Sequence, residues 1–167
     1  SARRFSGGTS SSSRAAFGGG SPTTNTIDTI EFNTKGNASD FGDRTLDSDF
    51  VAGGITNGTR GLFGGGTIPG GESITIASTG NATDFGDRTV LGITVGGFAD
   101  STRACWGGAS DGPSNVIDYV TISSTGNATD FGDLTLARRE GGGGANATRG
   151  LFCGGEVPSD RSNVVDY

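Results

Sequence analysis

The ten residues Gly126-Asn127-Ala128-Thr129-Asp130-Phe131-Gly132-Asp133-Leu134-Thr135 have two near-copies upstream, Gly36 to Thr45 and Gly80 to Thr89, identical at eight of ten positions. Phe41, Phe85 and Phe131 therefore recur 44 and 46 residues apart. A second marker keeps the same beat. Arg14-Ala-Ala-Phe17, Arg60-Gly-Leu-Phe63, Arg103-Ala-Cys-Trp106 and Arg149-Gly-Leu-Phe152 are spaced 46, 43 and 46 residues apart. A module copied at this period cannot bury its apolar side alone, so copies must stack on one another.

Each unit reads as four short strands. In the first, a Gly/Ser-rich segment from Phe5 to Ser12 leads to a strand at Arg14–Phe17 closed by glycines. A third strand, Ile27 to Phe32, alternates apolar and polar residues, as do Ile74-Thr75-Ile76 and Val120-Thr121-Ile122. That period of two describes a half-buried strand. It sets Ile30 and Phe32 on one inward face. Gly36-Asn37 is expected to form a turn with positive φ, followed by a fourth strand whose large apolar residue is Phe41. Asn57-Gly58 reads as a tight hairpin turn. No stretch has helical periodicity, and the expected class is all-β.

The units run from about 1–45, 46–90 and 91–136, with a partial fourth at 137–167, in one repeat domain. Composition alone would suggest disorder, since 33 residues are glycine and only 31% are hydrophobic. The fixed placing of those glycines beside aromatic residues argues for a fold instead. Methionine is absent, and Ala2-Arg3-Arg4 matches Ala137-Arg138-Arg139. Tyr167 corresponds to Tyr119, so the fourth copy stops before its own Asp-Phe-Gly-Asp stretch. The chain is accordingly expected to be a segment of a longer one.

Four short strands per unit, with a glycine doublet ending the second, is the pattern of a propeller blade. The order Gly107-Gly108, Asp118-Tyr119, Phe131 resembles the kelch repeat, with phenylalanine where kelch usually has tryptophan. The Gly-Asn-Ala-Thr-Asp-Phe-Gly-Asp phrase resembles repeats in structural and fibre proteins of marine phages and other aquatic viruses. The resemblance implies a kelch-like propeller with three complete blades and a truncated fourth. An open β-solenoid or stacked-sheet fibre is the alternative. In such a blade, glycine near the axis lets backbones approach. Phe17, Phe63, Trp106 and Phe152 would fill the space between blades, and the three equivalent phenylalanines should share like surroundings. An edge strand left uncovered would invite pairing with another chain.

Side-chain chemistry narrows the function. There is no histidine, which removes histidine bases, Ser-His-Asp triads and histidine-ligated metals, including those of kelch-type copper oxidases. The glycine run Gly141 to Gly144 lacks the Lys-Ser/Thr of a phosphate loop. Asp40-Phe41-Gly42-Asp43 has the letters of a kinase metal triplet without any other kinase element. Asn81, Asp84 and Asp87 offer oxygens for calcium, but such residues more often cap their own turns. Arg14, Arg60, Arg103 and Arg149 read as scaffold residues paired with carboxylates such as Asp43 or Asp87, the other reading being an anion-binding ring. Asn37, Asn57, Asn81, Asn127 and Asn146 begin Asn-x-Ser/Thr sequons, glycan acceptors only in a protein secreted by a eukaryote. Cys105 and Cys153 read as small buried residues. Asp111 and Asp118 are the carboxylate pair a propeller glycosidase or lyase would use.

The net charge of −6 without basic clusters speaks against nucleic acid, and no apolar run approaches the ~20 residues of a membrane span. Loops such as Ser21 to Thr24 and Ser110 to Ser114 differ between units, and variable loops on a repeated scaffold are where recognition resides. The expected role is therefore non-enzymatic and free of cofactors. It is a virion structural or fibre component on the particle surface, joined to other virion proteins or copies of itself and presenting loops to a host glycan or protein. The alternative is a kelch-type protein- or glycan-binding module of a cellular or secreted protein.

Overall fold

A computed structural model describes residues 2–167 except 49–50, 65, 67, 93–95, 111 and 113. The described residues contain strands and turns and no helix. The first antiparallel sheet comprises β1 (Gly7–Ser10), β2 (Arg14–Gly18), β3 (Thr26–Glu31) and β4 (Ser39–Asp43) in that order. The second comprises β5 (Ala52–Thr56), β6 (Arg60–Gly64), β7 (Gly70–Thr75) and β8 (Thr83–Asp87). The third comprises β9 (Gly96–Ala99), β10 (Arg103–Ala109), β11 (Ser114–Thr121) and β12 (Thr129–Arg138). The fourth has three strands, β13 (Gly142–Ala145), β14 (Gly150–Cys153) and β17 (Val165–Asp166). A small hairpin, β15 (Glu156–Val157) with β16 (Asp160–Arg161), sits between its second and third strands. The four sheets form a four-blade, propeller-like arrangement in which the first strands β1, β5, β9 and β13 neighbour one another in succession.

The register is the same in every blade. Opposite the second-strand aromatic stands an acidic residue of the third strand: Phe17 faces Asp28, Phe63 faces Glu72, Trp106 faces Asp118 and Phe152 faces Asp166. The hairpin joining first and second strands is also repeated. Ser11 Oγ, Asn57 Oδ1, Asp100 Oδ1 and Asn146 Oδ1 each accept from the amides two and three residues on. A short side chain that mimics a backbone acceptor closes such a turn. Gly58 follows Asn57 with φ +89°, as the Asn-Gly pair implies.

Three small cores hold the blades, one at each junction. Phe41, Val51, Phe63, Ile74 and Ile76 pack between blades 1 and 2. Ile55, Leu62, Phe85, Trp106, Val120 and Ile122 pack between blades 2 and 3. Among the described residues the apolar core between blades 3 and 4 is smaller, with Cys105, Leu134 and Phe152 buried and Phe98, Ile117 and Tyr119 beside them. Each large apolar side chain contributes about 1.5–3 kcal/mol when taken from water. The aromatics meet glycine across the junction. A Cβ on Gly18 would lie 3.2 Å from Phe63, one on Gly64 3.1 Å from Trp106, and one on Gly107 2.8 Å from Phe152. Glycine at these places is what lets the next blade's ring lie on the sheet.

Two expectations about blade 1 need correction. Ile30 and Phe32 do not face a core; the buried third-strand residues are Ile27 and Thr29, and Phe32 is exposed. Their counterparts Ile74 and Ile76 are buried because blade 1 covers them, whereas no described blade stands on the other side of blade 1. Phe17 is partly exposed for the same reason. Gly36 does not take a positive φ, although its blade 2 counterpart Gly80 has φ +156°; later in the phrase Gly42, Gly86 and Gly132 have φ of +144°, +128° and +143°. The third strand's register shifts opposite each of these glycines, a bulge that the Asp-Phe-Gly-Asp stretch builds into the fourth strand.

Candidate functional site

The repeated phrase forms a clasp between blades. Gly80 and Ala82 donate their amides to the carbonyls of Phe41 and Asp43, each at 2.8 Å, and Asn81 Oδ1 accepts from the Asp43 amide at 3.0 Å. The next junction repeats this with Gly126 to Phe85, Ala128 to Asp87 and Asp87 to Asn127 Oδ1. The Gly-Asn-Ala turn of one blade thus caps the open edge of the preceding fourth strand, and the side chain of Asn completes a three-bond ladder. Phe41 and Phe85 lie beneath it, 3% and 2% exposed. Phe131 does not share those surroundings. It is 56% exposed, since among the described residues no Gly-Asn-Ala turn lies over it.

Nearer the middle, each blade receives an arginine on its third-strand carboxylate. Arg44 pairs with Glu72 at 2.5 Å, Arg88 with Asp118 at 3.2 Å, Arg138 with Asp166 at 2.7 Å, and Arg3 with Asp28 at 2.8 Å. Thr45, Thr89 and Thr135 add a backbone amide and a hydroxyl to the carboxylates of Glu72, Asp118 and Asp166. In blade 3, Leu134 replaces the phrase arginine, and Arg138 takes over from four residues further on. Burial lowers the Arg88 pKa, against the opposing pull of Asp118. Burial pushes the Asp166 carboxyl up, but bonds from Thr135 and the charge of Arg138 outweigh it and hold its pKa below the usual range.

The spacing of the sequence points to other arginines, and these serve a related purpose with different partners. Arg14 pairs with Glu31 across its own sheet and donates to Ile76 O of the next blade at 3.1 Å, not to Asp43. Arg60 donates to Ile122 O at 2.8 Å, not to Asp87. Their guanidinium groups lie 5.9 and 5.7 Å from the Phe41 and Phe85 ring centres. Arg103 and Arg149 instead lie over Tyr119 and Tyr167, at 4.9 and 4.8 Å.

Of the sequon asparagines, Asn57 and Asn146 cap hairpin turns, Asn81 and Asn127 bond the neighbouring blade, and Asn37 is exposed on blade 1. The oxygen that Asn81 would offer to calcium is thus engaged by Asp43, and Asp84 and Asp87 belong to the exposed side of β8. Among the described residues no group of three or more acidic or thiol side chains could hold a metal. Cys105 is buried, and burial, then Asp100, raise its thiol pKa to about 11, so it remains protonated and a poor nucleophile. Cys153 is exposed, contrary to expectation, because it takes the place of Gly18, Gly64 and Gly107 on the uncovered side of blade 4. Asp118 is fully buried against Arg88, which removes it from any catalytic carboxylate pair; Asp111 lies outside the described residues.

Among the described residues, two of the larger concavities lie toward blade 4. One, of about 620 Å³, is polar and lies beside the β15–β16 hairpin, where Glu140, Glu156, Ser159, Asp160 and Arg161 line it. It belongs to the connection between second and third strands, the segment that differs most from blade to blade. The other, of about 630 Å³, runs between blades 3 and 4 and is lined by Phe98, Phe131, Phe152, Arg149 and Tyr167. No known protein-family profile matches the chain, and no curated protein matches it.

Proposed function

We propose that the chain is a non-enzymatic, kelch-like repeat scaffold that serves as a structural or fibre component of a virus particle and presents unlike loops to a host surface. The observation that supports it is a division of labour. Among the polar residues of the repeated pattern, Arg44, Arg88, Asn81, Asn127, Glu72 and Asp118 are engaged between blades. The connections between second and third strands each carry one proline (Pro22, Pro69, Pro113, Pro158) but differ in length and in most of their other residues. Repetition suits a scaffold, and variation at one rim suits recognition. The viral half of the reading rests on the resemblance of the Gly-Asn-Ala-Thr-Asp-Phe-Gly-Asp phrase to virion repeat proteins. Attachment by such loops works through many modest contacts multiplied by copy number.

The test is to raise antibodies against the chain, label purified particles, and compare attachment with and without the antibody. Replacing Pro158-Ser159-Asp160-Arg161 by Gly-Ser-Gly-Ser then asks whether the loop carries it. The expected result is label on the particle surface and attachment weakened by the loop swap at unchanged circular dichroism. Label confined to a cell surface or secreted fraction would instead favour the cellular interaction module. Polysaccharide cleavage that disappears on changing one carboxylate to its amide would overturn the non-enzymatic reading.

A further inference from the structure

We infer that the junction between blades 2 and 3 binds one internal water, which joins the buried ion pairs on either side of blade 2 into a single polar chain. Two buried donors call for it. Arg88 donates from Nε and Nη2 to Asp118 Oδ1, at 3.3 and 3.2 Å, and its Nη1 has no partner among the described residues. Trp106 Nε1 has none there either. The two residues are 6% and 3% exposed, and the guanidinium carbon lies 5.8 Å from the centre of the ring. A buried N–H without an acceptor destabilises a fold, and native structures rarely leave two of them together.

The same place has room and an acceptor. Arg88 and Trp106 line one cavity with Leu62, Glu72, Phe85 and Val120, and its volume of about 10 Å³ suits a single water. Glu72 accepts three bonds, from Arg44 Nε and from the amide and hydroxyl of Thr45, and a carboxylate has about four places for them. A water that accepts from Arg88 Nη1 and Trp106 Nε1 and donates to Glu72 satisfies all three groups. An anion would meet the Glu72 carboxylate and a cation the Arg88 guanidinium, so neither charged species fits this lining. The chain then runs from Arg44 through Glu72, the water and Arg88 to Asp118, and it spans blade 2 from one junction to the other.

The repeat explains why the site falls here. Phe63 and Phe152 stand where Trp106 stands, and they have no N–H to offer, although Arg44 and Arg138 also keep a buried Nη1 without a partner among the described residues. The third strand changes along with the ring, since Val120 takes the place that Ile74 holds in blade 2. A smaller neighbour beside the larger ring leaves the space that the indole N–H needs. The site is independent of what the rim loops bind.

Trp106 is the sole tryptophan, so its indole proton gives one signal and its fluorescence reports one place. In a rotating-frame Overhauser spectrum of the intact chain, that proton should show a cross-peak to water with the sign of direct contact and not of chemical exchange. Bromide, a heavy-atom quencher, should produce no saturable quenching of the fluorescence. Val120→Ile, the residue that the repeat itself carries at position 74, narrows the cavity. It should abolish the water cross-peak and lower the urea midpoint, because a methyl group that displaces an ordered water leaves both donors stranded. Absence of the direct cross-peak in the native chain, or a midpoint raised by Val120→Ile, would show the cavity to be dry and overturn the assignment. Saturable bromide quenching would overturn it in favour of an anion.

Discussion

The junctions on either side of blade 2 differ from the junction between blades 3 and 4 in one component. All three have the inner half of a clamp, an aromatic ring on a glycine and an arginine on the carboxylate opposite that ring. Only the first two have the outer half, in which the Gly-Asn-Ala turn bonds the preceding fourth strand and covers its phenylalanine. Where both halves are present the ion pair is sealed: Arg44 and Glu72 are each 0% exposed in their side chains, against 10% for Asp166. The outer half therefore shields the inner one from water. Electrostatic contacts gain strength as solvent leaves, and so does the cost of breaking one partner.

The largest expected effect comes from that shielding. Glu72→Ala leaves the Arg44 guanidinium buried without its carboxylate and strips two further bonds from Thr45, a loss of about 3–5 kcal/mol for a buried pair with one partner removed. Asp28→Ala removes the equivalent partner of Arg3 on blade 1, where the carboxylate is 26% exposed and the loss should be about 0–1 kcal/mol. Urea unfolding midpoints of the two variants check the comparison. Equal shifts would mean that shielding by the next blade does not set the strength of the pair.

Much of this architecture was legible in the sequence, and the part that was not has a physical reason. The four-strand unit and the glycine after three of the four second-strand aromatics could be read from spacing, because sterics at a covered blade junction tolerate few alternatives. The acidic ladder is hard to see in the sequence because Glu72 interrupts the series Asp28, Asp118 and Asp166, and its arginine is displaced from position 134 to 138 in blade 3. A recurring acid opposite each aromatic, with Arg-Thr closing the phrase, was the signal available. The residue type of Asn81 points to a cap on its own turn, yet Asn81 and Asn127 bond the neighbouring blade, whereas Asn57 and Asn146 do cap theirs. Local sequence cannot tell a bond to a residue two positions on from one about forty residues away. The unlike surroundings of Phe131 depend on which segment stacks against blade 3, and no window around the phrase contains that information.

A second comparison isolates the contact made by the phrase. Gly86 and Gly132 share a similar positive φ, so an alanine at either carries a similar backbone strain of about 1–3 kcal/mol. At Gly86 the added methyl also lies 2.5 Å from the backbone of Gly126, whereas at Gly132 it meets open space. G86A should therefore be less stable than G132A by a further ~1–3 kcal/mol, the cost of overpacking a rigid contact. Thermal unfolding of the pair measures the difference. Equal losses would show that the turn yields to the methyl and does not grip the strand.

The smallest effect is confined to the open junction and emerges only in acid. Asp166 has its pKa below the ordinary carboxylate value, held there by Thr135 and Arg138 against the opposing effect of burial. A carboxyl whose pKa is lower folded than unfolded adds stability that is complete above the unfolded value, about 3.9, and is lost as pH falls through the lower folded value. The docking of blade 4 should thus be constant from neutral pH down to about 4 and weaken below it. Amide exchange at β14, which pairs with β17 and carries Phe152 into blade 3, reports that docking directly. Acidification should speed exchange at 150–153, and in Asp166→Asn that acid-dependent acceleration should disappear, since the amide cannot titrate. Persistence of the acid step in the variant would place its origin in another carboxylate, and the Arg138–Asp166 pair would then not be what holds the fourth blade in place.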